Sequence, residues 1–391
     1  MTPARRNPSR RTTILAYCGA FFCLGIAFAV LGPTLPQLAE QVAVSIGSVS
    51  ILFVGNSLGY LIGSFLAGPV FDRYRGHPVL AVNLGVLSGL LILVPFVPSL
   101  GLLVTLFFVL GTMKGAIDVG GNTLLLWFFP EAAHTAMNAL HALFAVGAVA
   151  TPLVVGLTLS TFGGIDRAYT LLGTTILPFA ILFLLLPSPV APNTSVKPVE
   201  GSNARGDLIL ICIFFFVYCG IEVGFGGWIT TYALKAGFES ASGGAFLAST
   251  YWATFTVGRF GSVLVARSMP PMRTIAIALT LASVSLAAML AFSGSREVLW
   301  AGSALLGLAV APIFPQLLLV ADARLHLRGS TTRWFFVGGS MGSIAIPWTL
   351  GQGFEQIGPS VLMPALAGIL AANILCFLLL SGRLKKPGKS S

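Results

Sequence analysis

The sequence predicts an all-α membrane protein that crosses the bilayer twelve times, and two observations support this prediction. Of the 391 residues, 56% are hydrophobic and 9% are charged, whereas about a quarter of the residues in a soluble domain are charged. The mean hydropathy is +0.92. The apolar runs are continuous and about 20 residues or longer, which suits membrane helices, and they lack the alternation of a membrane β-barrel.

The apolar runs define the predicted helices in chain order. We predict spans near 13–35, 46–71, 78–97, 100–128, 134–162, 168–187, 206–234, 242–267, 272–293, 297–320, 331–355 and 360–382. An even number of spans places both termini on one side of the membrane.

The basic residues indicate which side that is. Most of the 22 lysine and arginine residues lie at the termini and in the loops on the same side, whereas the opposite loops hold Arg167, Lys235 and Arg296. Cytoplasmic loops carry the excess of basic residues. We therefore expect cytoplasmic termini in a plasma (inner) membrane. The net charge of +10 reflects the basic residues of the cytoplasmic loops and does not indicate nucleic-acid binding.

A polar segment divides the chain into two halves. Residues 187–207 read PSPVAPNTSVKPVEGSNARGD, a composition typical of a flexible linker. We predict a first six-helix bundle at 1–187, a cytoplasmic linker at 188–206 and a second six-helix bundle at 207–391.

The two halves share a pattern of helix-constraining residues at one constant offset. Gly and Pro fix close helix contacts and bends, so matched pairs predict matched structure. The pairs are Gly25 with Gly220, Gly63 with Gly258, Gly147 with Gly342, Pro152 with Pro347 and Gly156 with Gly351. Parallel six-helix repeats are one of the architectures of secondary transporters.

Span four carries a stripe of polar residues within an apolar helix. Lys114, Asp118 and Asn122 recur every four residues and therefore share one helical face. An ionisable group inside a membrane span costs roughly 2.5–3.5 kcal/mol on insertion scales, and such groups usually mark a substrate or ion path. Glu222, near the middle of span seven, is a second carboxylate at membrane depth.

The loop after span two resembles a signature of the major facilitator superfamily. It reads GPVFDRYRG, in which Gly68, Asp72, Arg73 and Arg75 resemble the Gly, Asp and Arg residues of the pattern G-x-x-x-D-R-x-x-R. The resemblance implies that this Gly packs against a neighbouring helix. It also implies a cytoplasmic gate formed by Asp72 and the arginines Arg73 and Arg75. We add Arg259, in span eight, and Asp322, in a charged cytoplasmic loop, to this gate. The alternatives are a structural pair with an acid or backbone carbonyls for Arg259 and a solvated, topology-setting loop for Asp322.

A narrower resemblance extends over nearly the whole chain. GAIDVGGN at 115–122 is similar to the fourth-helix motif of the fucose–galactose–proton symporter family. Several blocks resemble its sodium-dependent glucose transporter-like branch: ALHALFAVGA at 139–148, EVGFGGWITTYA at 222–233, APIFP at 311–315, and the residues from 337 to 348. This resemblance implies sugar transport coupled to a cation. The chain departs from the pattern in lacking an acid in span one and in carrying Lys114.

Asp118 and Glu222 are the candidate cation-coupling residues. An ion pair between Lys114 and Asp118 is the alternative for Asp118, because the two residues are four apart on one helix. Glu222 has no basic residue within one turn of its own helix, which makes it the better candidate for carrying a proton or helping to bind sodium.

Amide and aromatic side chains are the candidate substrate ligands. Amides offer both donors and acceptors to sugar hydroxyl groups, and aromatic rings stack on the apolar faces of sugars. The candidates are Asn122, His141, Trp228, Gln316, Phe144 and Tyr232. Helix packing is the alternative role for each of them.

The sequence favours a secondary transporter of a neutral hexose or related polyol, acting as a monomer in the lipid bilayer with protons or sodium. It contains no Walker A motif and no HExxH motif, and its five cysteines show no C-x-x-C spacing. We therefore expect no cofactor, no metal site and no enzymatic activity. The alternative is a proton-coupled exporter of drugs or small metabolites.

Overall fold

The computed structural model describes residues 10–129, 133–189, 205–265, 268–325 and 329–385. These residues form α-helices joined by short turns, with 3-10 turns at Val94–Phe96 and Pro359–Val361. The α-helices are α1 (Arg10–Ala29), α2 (Leu31–Gln41), α3 (Ile46–Val49), α4 (Ile51–Arg73), α5 (Gly76–Leu93), α6 (Leu100–Phe128), α7 (Ala133–Phe162), α8 (Asp166–Leu185), α9 (Arg205–Lys235), α10 (Ala241–Val265), α11 (Pro271–Ala291), α12 (Arg296–Val310), α13 (Ile313–Leu325), α14 (Gly329–Gln356) and α15 (Leu362–Lys385).

The helices confirm the predicted class of an all-α integral membrane protein. Ten helical segments of the described residues are long and apolar enough to cross a membrane, by length and composition. The remaining two predicted spans, near 242–267 and 331–355, correspond to α10 and α14, which have a similar length but fall outside those ten. Some predicted spans comprise two consecutive helices, such as α1 with α2 and α12 with α13.

The chain divides into two compact units. Unit 1 comprises the described residues within Met1–Val44 and Gly55–Val196, and unit 2 those within Ser45–Val54 and Lys197–Ser391. The segment Ser45–Val54 comes from the first half of the sequence but belongs to unit 2. Most of the predicted linker, residues 190–204, lies outside the described residues, and the predicted domain boundaries stay a prediction.

Unit 1 contains two helix crossings that only glycine permits. Where α1 crosses α7, a Cβ at Gly25 would collide with the carbonyl oxygen of Phe144, and a Cβ at Gly147 with that of Phe22. Where α4 crosses α6, Gly63 lies equally close to the carbonyl oxygen of Thr112. Backbone-to-backbone contact of this kind is typical of membrane helices with small residues at their interface.

Unit 2 repeats these crossings with the equivalent helices. A Cβ at Gly342 on α14 would collide with the carbonyl oxygen of Phe216 on α9, and one at Gly220 with the side chain of Ile346. Gly258 on α10 lies against the carbonyl oxygen of Leu308 on α12. The glycine pairs that the sequence repeat aligns therefore occupy corresponding crossings in the two units.

The segment Ser45–Val54 is held in unit 2 by hydrogen bonds to α14. The backbone N–H of Gly47 donates to Oε2 of Glu355 at 3.2 Å, and Nε2 of Gln352 donates to the carbonyl oxygen of Gly47 at 3.0 Å. Ser45 caps α3 by accepting from the backbone N–H of Ser48 at 3.1 Å. Through these contacts Phe53 lies near Trp228, with ring centroids 5.8 Å apart.

Candidate functional site

The carboxylate of Asp118 is the centre of a hydrogen-bonded cluster in unit 1. Tyr60 on α4 donates its hydroxyl to Oδ2 at 2.5 Å, and Nδ2 of Asn122 donates to Oδ1 at 3.0 Å. The same Asn122 amide also donates to the Asp118 carbonyl oxygen at 2.9 Å. Both carboxylate oxygens therefore accept a hydrogen bond, which holds the side chain in one orientation.

The predicted ion pair between Lys114 and Asp118 is wrong for this structure. Within the described parts of the chain, the ion pairs closer than 4.0 Å join Arg296 to Glu239, and Arg324 and Arg383 to Asp207. Lys114 is 3% exposed, and its Nζ lies 3.5 Å from the carbonyl oxygen of Ala27 on α1. A basic residue on the N-terminal side of the acid is the weaker order for a helical pair, and Tyr60 and Asn122 already occupy the carboxylate.

His141 on α7 lies near this cluster, whereas Phe144 on the same helix packs against α1. His141 is exposed, interacts electrostatically with Asp118, and meets the Phe21 ring edge-on at 5.5 Å. Phe144 packs edge-on against Phe28 at 5.6 Å. His141 is therefore accessible to a ligand.

The second carboxylate, Glu222, lies in unit 2 among tyrosine and arginine side chains. Arg259 on α10 interacts with it electrostatically, although the two groups form no ion pair within 4.0 Å among the described residues. The buried hydroxyl of Tyr218, one turn earlier on α9, lies beside the carboxylate without a hydrogen bond of standard geometry. Tyr251 donates its hydroxyl to the Glu222 backbone carbonyl at 3.2 Å. Glu222 is thus less constrained than Asp118.

Arg259 lies near an acid, which agrees with the alternative of a structural partner more than with a place in the cytoplasmic gate. Its guanidinium lies over the rings of Phe255 at 4.7 Å and Phe314 at 5.9 Å, and it faces Glu222. The Nε atom is buried and has no hydrogen-bond partner in the described part of the chain. Helix packing between α9, α10 and α13 produces this arrangement, and sequence spacing within one helix carries no sign of it.

Trp228 is also placed differently from the prediction. Its ring is 0% exposed, stacks on Phe354 at 4.6 Å and faces Phe53, while its N–H donates to the Pro347 carbonyl oxygen at 2.9 Å. The ring therefore has no free face on which a sugar could stack in this structure. Tyr232 is likewise buried and lies near Phe238.

Gln316 and Asn122 each keep one unfilled acceptor. Gln316 is 1% exposed, and its Oε1 has no hydrogen-bond partner among the described residues. Oδ1 of Asn122 is also buried and has no hydrogen-bond partner among the described residues. A buried polar atom left unpaired costs about 1–3 kcal/mol, so each oxygen is a candidate for contact with a ligand or water.

The remaining predicted gate residues lie at helix ends and are exposed. Asp72 and Arg73 end α4, Arg75 precedes α5, and Asp322 lies in α13. A Cβ at Gly68 would meet nothing within 4 Å. The close packing that the loop resemblance implied for this glycine is therefore not found.

The structure contains two charged clusters that the sequence did not predict. In the first turn of α9, Asp207 accepts from Arg383 at 3.1 Å and lies 3.8 Å from Nε of Arg324. Beyond the other end of α9, Glu239 pairs with Arg296 and accepts from Nε1 of Trp300 at 2.7 Å. Their partners are too far apart in sequence for spacing to reveal them. The described residues contain no cluster of His, Cys, Asp or Glu that could hold a metal ion.

The Glu239 cluster lies outside the membrane segments. The hydrogen bond from the Arg296 guanidinium lowers the pKa of Glu239 from its ordinary value of 4.5, and the Trp300 N–H contributes in the same direction. Hydrogen bonds to the charged form of a carboxyl group favour that form.

Each of the two units consists of apolar helices with matching glycine crossings, and each holds a half-buried carboxylate within an apolar helix. These features define the class as a polytopic membrane transport protein. The chain belongs to the Major Facilitator Superfamily, whose profile matches residues 17–347.

Curated relatives cover most of the chain. It is 29% identical to Sodium-dependent glucose transporter 1 of Xenopus laevis, over 90% of this chain and 78% of that protein. It is 27% identical to the Homo sapiens protein of the same name, over 92% of this chain and 77% of that protein. It is 22% identical to Major facilitator superfamily domain-containing protein 4A of Xenopus tropicalis, over 88% and 86%.

Solved structures share the fold at low sequence identity. The nucleoside transporter NupG, in a mutant form, matches with a TM-score of 0.77 and 12% identity, over 94% of this chain and 99% of that chain. A bacterial homologue of the human lysosomal transporter Spinster matches with a TM-score of 0.72 and 13% identity, over 96% of both chains. These similarities establish the fold alone.

Proposed function

We propose that this chain moves a neutral hexose or related polyol across the membrane by alternating access, coupled to protons or sodium. The observation that carries the proposal is the pair of unfilled amide acceptors, Oδ1 of Asn122 and Oε1 of Gln316. A sugar hydroxyl is a donor that satisfies such an acceptor without bringing a charge into the apolar protein. The names of the glucose-transporting relatives support the same substrate class.

His141 and Phe144 are the further ligands that we propose in unit 1. The exposed imidazole of His141 offers a donor or an acceptor to a hydroxyl group. The half-buried ring of Phe144 offers an apolar surface. Trp228 and Tyr232 are not carried into this proposal, because both are enclosed by packing.

Coupling rests on the carboxylates. We assign the coupling role to Glu222, since it faces Arg259 and Tyr218 without being fixed by close hydrogen bonds, and a support role to Asp118. The protein acts in the plasma (inner) membrane as a monomer with cytoplasmic termini, and the gate comprises Asp72, Arg73, Arg75 and Asp322.

Sugar counterflow in proteoliposomes tests the function. Vesicles preloaded with an unlabelled hexose or polyol should take up the labelled compound faster than empty vesicles. Gln316→Met keeps the length of the side chain but removes the acceptor, and we expect it to weaken sugar affinity by about three- to tenfold, the worth of one neutral hydrogen bond.

Leu317→Met, at an apolar position that follows Gln316 on α13, is the matched control and should leave the affinity unchanged. Transport of a cationic drug without transport of any sugar would favour the alternative, a proton-coupled exporter.

A further inference from the structure

The ammonium group of Lys114 lies against the C-terminal end of α1. Its Nζ is 3.5 Å from the carbonyl oxygen of Ala27 and 5.8 Å from the centroid of the Phe28 ring. Both residues belong to the last turn of α1, which ends at Ala29. The charge is therefore placed at a helix terminus inside the membrane protein.

That helix end is suited to a cation. The last carbonyl groups of a helix lack intrahelical donors and carry partial negative charge. Pro33, in the first turn of α2, has no N–H to donate to the carbonyl of Ala29. In transporters with interrupted helices, such C-terminal ends coordinate the coupling cation.

A further oxygen faces the same turn of α1. The hydroxyl of Thr151 on α7 lies 3.4 Å from the Ile26 carbonyl oxygen and donates to the Gly147 carbonyl oxygen at 2.9 Å. Carbonyl and hydroxyl oxygens are the ligands that hard cations prefer. The turn thus combines oxygen ligands with a positive charge that the protein itself supplies.

An ion pair does not explain the position of Lys114. Asp118, its neighbour on α6, is occupied by Tyr60 and Asn122, and no acidic group within the described ranges comes within 4.0 Å of the ammonium. A buried charge without a counterion is costly. Such a charge indicates a role other than folding stability.

We propose that the Lys114 ammonium is a tethered cation that occupies, at the end of α1, the place of a sodium ion. In unit 2 the guanidinium of Arg259 lies over the rings of Phe255 and Phe314, on helices that pack near Glu222. With the place of sodium at the end of α1 taken by Lys114, proton transfer at Glu222 is the coupling step. This inference rests on the proposed function and narrows its coupling ion to the proton.

The test is thermal unfolding of the purified full-length protein in sodium chloride and in choline chloride at equal ionic strength. The wild-type protein should unfold at the same temperature in both salts. Lys114→Ala removes the ammonium and leaves space among the oxygens, so its unfolding temperature should rise with the logarithm of the sodium concentration above the dissociation constant of the vacated site.

Lys114→Met is the matched control. It removes the same charge but fills the space with an apolar side chain, so sodium should not stabilise it. A general loss of packing or charge would change the unfolding temperatures of both variants equally in both salts. A vacated cation site would instead make only Lys114→Ala more stable in sodium chloride than in choline chloride. Lys114→Ser provides a second small side chain should the Ala variant fail to fold.

Stabilisation of the wild-type protein by sodium over choline would overturn the proposal, as would a folded Lys114→Ala variant that is indifferent to sodium. Should neither small variant fold, the comparison of the two salts on the wild-type protein decides the question. The assay contains no sugar, so its result is independent of whether the chain proves to transport one.

Discussion

Asp118 and Glu222 are both carboxylates inside apolar helices, yet their surroundings differ. Asp118 accepts hydrogen bonds on both oxygens, from Tyr60 and Asn122. Glu222 faces Arg259 and Tyr218, and the Tyr218 hydroxyl remains without a hydrogen bond of standard geometry. A carboxylate that accepts hydrogen bonds on both oxygens is held in one orientation by them, whereas a carboxylate with open positions can exchange a proton at low structural cost. This difference is the basis on which we propose a support role for Asp118 and the coupling role for Glu222.

The largest difference in stability between the two carboxylate sites is expected when Tyr60 and Tyr218 are each replaced by phenylalanine. Tyr60→Phe removes a hydrogen bond to a charged group and should lower the free energy of unfolding by about 1.5–3 kcal/mol. Tyr218→Phe removes a buried hydroxyl without a well-formed partner and should leave stability unchanged or slightly raised. Denaturant or thermal unfolding in detergent measures both. Equal losses in the two variants would contradict the assignment.

A smaller effect is expected when each carboxylate is replaced by its amide. Asp118→Asn retains an acceptor for Tyr60 but loses the charge, so we expect a loss of about 1 kcal/mol, the difference between charged and neutral hydrogen bonds. Glu222→Gln should not be destabilised, since it removes a half-buried charge that has no ion-pair partner within 4.0 Å among the described residues. Unfolding temperatures of the two variants, measured side by side, check the ordering; a less stable Glu222→Gln would reverse it.

The smallest effect lies outside both sites, at Glu239. Because Arg296 lowers the pKa of Glu239 in the folded protein, the ionised group stabilises the fold above its unfolded pKa, and this contribution is lost as the pH falls through the lower folded value. Glu239→Gln should therefore unfold at a slightly lower temperature at neutral pH. The difference from the wild-type protein should shrink as the pH falls below 4.5 and vanish below the lowered pKa of the folded state.

Glu40→Gln, which removes an exposed carboxylate, serves as the control for that variant. A difference between Glu239→Gln and the wild-type protein that persisted unchanged into acid would contradict the proposed role of the ion pair.

The fold could be predicted from the sequence because its determinants are local. Apolar run length set the spans, and the offset glycines Gly25, Gly147, Gly220 and Gly342 predicted the crossings that the structure contains. The position of the break between α1 and α2 could not be predicted from the sequence, because Pro33 weakens the helix but does not alone determine where α1 ends.

The candidate site was predicted less well because its contacts join distant residues. Spacing identified Asp118 and Glu222, but the partner that it offered for Asp118 was Lys114, whereas the structure shows Tyr60, on another helix, as a partner. Arg259 could not be linked to Glu222 from sequence, because that contact depends on how α9 and α10 pack. The enclosure of Trp228 depends on Phe53, from a segment distant in sequence.

Uphill sugar accumulation by Glu222→Gln is the most direct test of the central claim. Proteoliposomes with an imposed proton gradient would be compared for the wild-type protein, Glu222→Gln and Asp118→Asn, together with counterflow at equal pH on both sides. Glu222→Gln should lose accumulation and keep counterflow, because exchange does not require the empty carrier to release a proton, whereas Asp118→Asn should keep both to the extent that it folds. Sugar concentrated against its gradient by Glu222→Gln, or accumulation lost in a well-folded Asp118→Asn alone, would contradict the account.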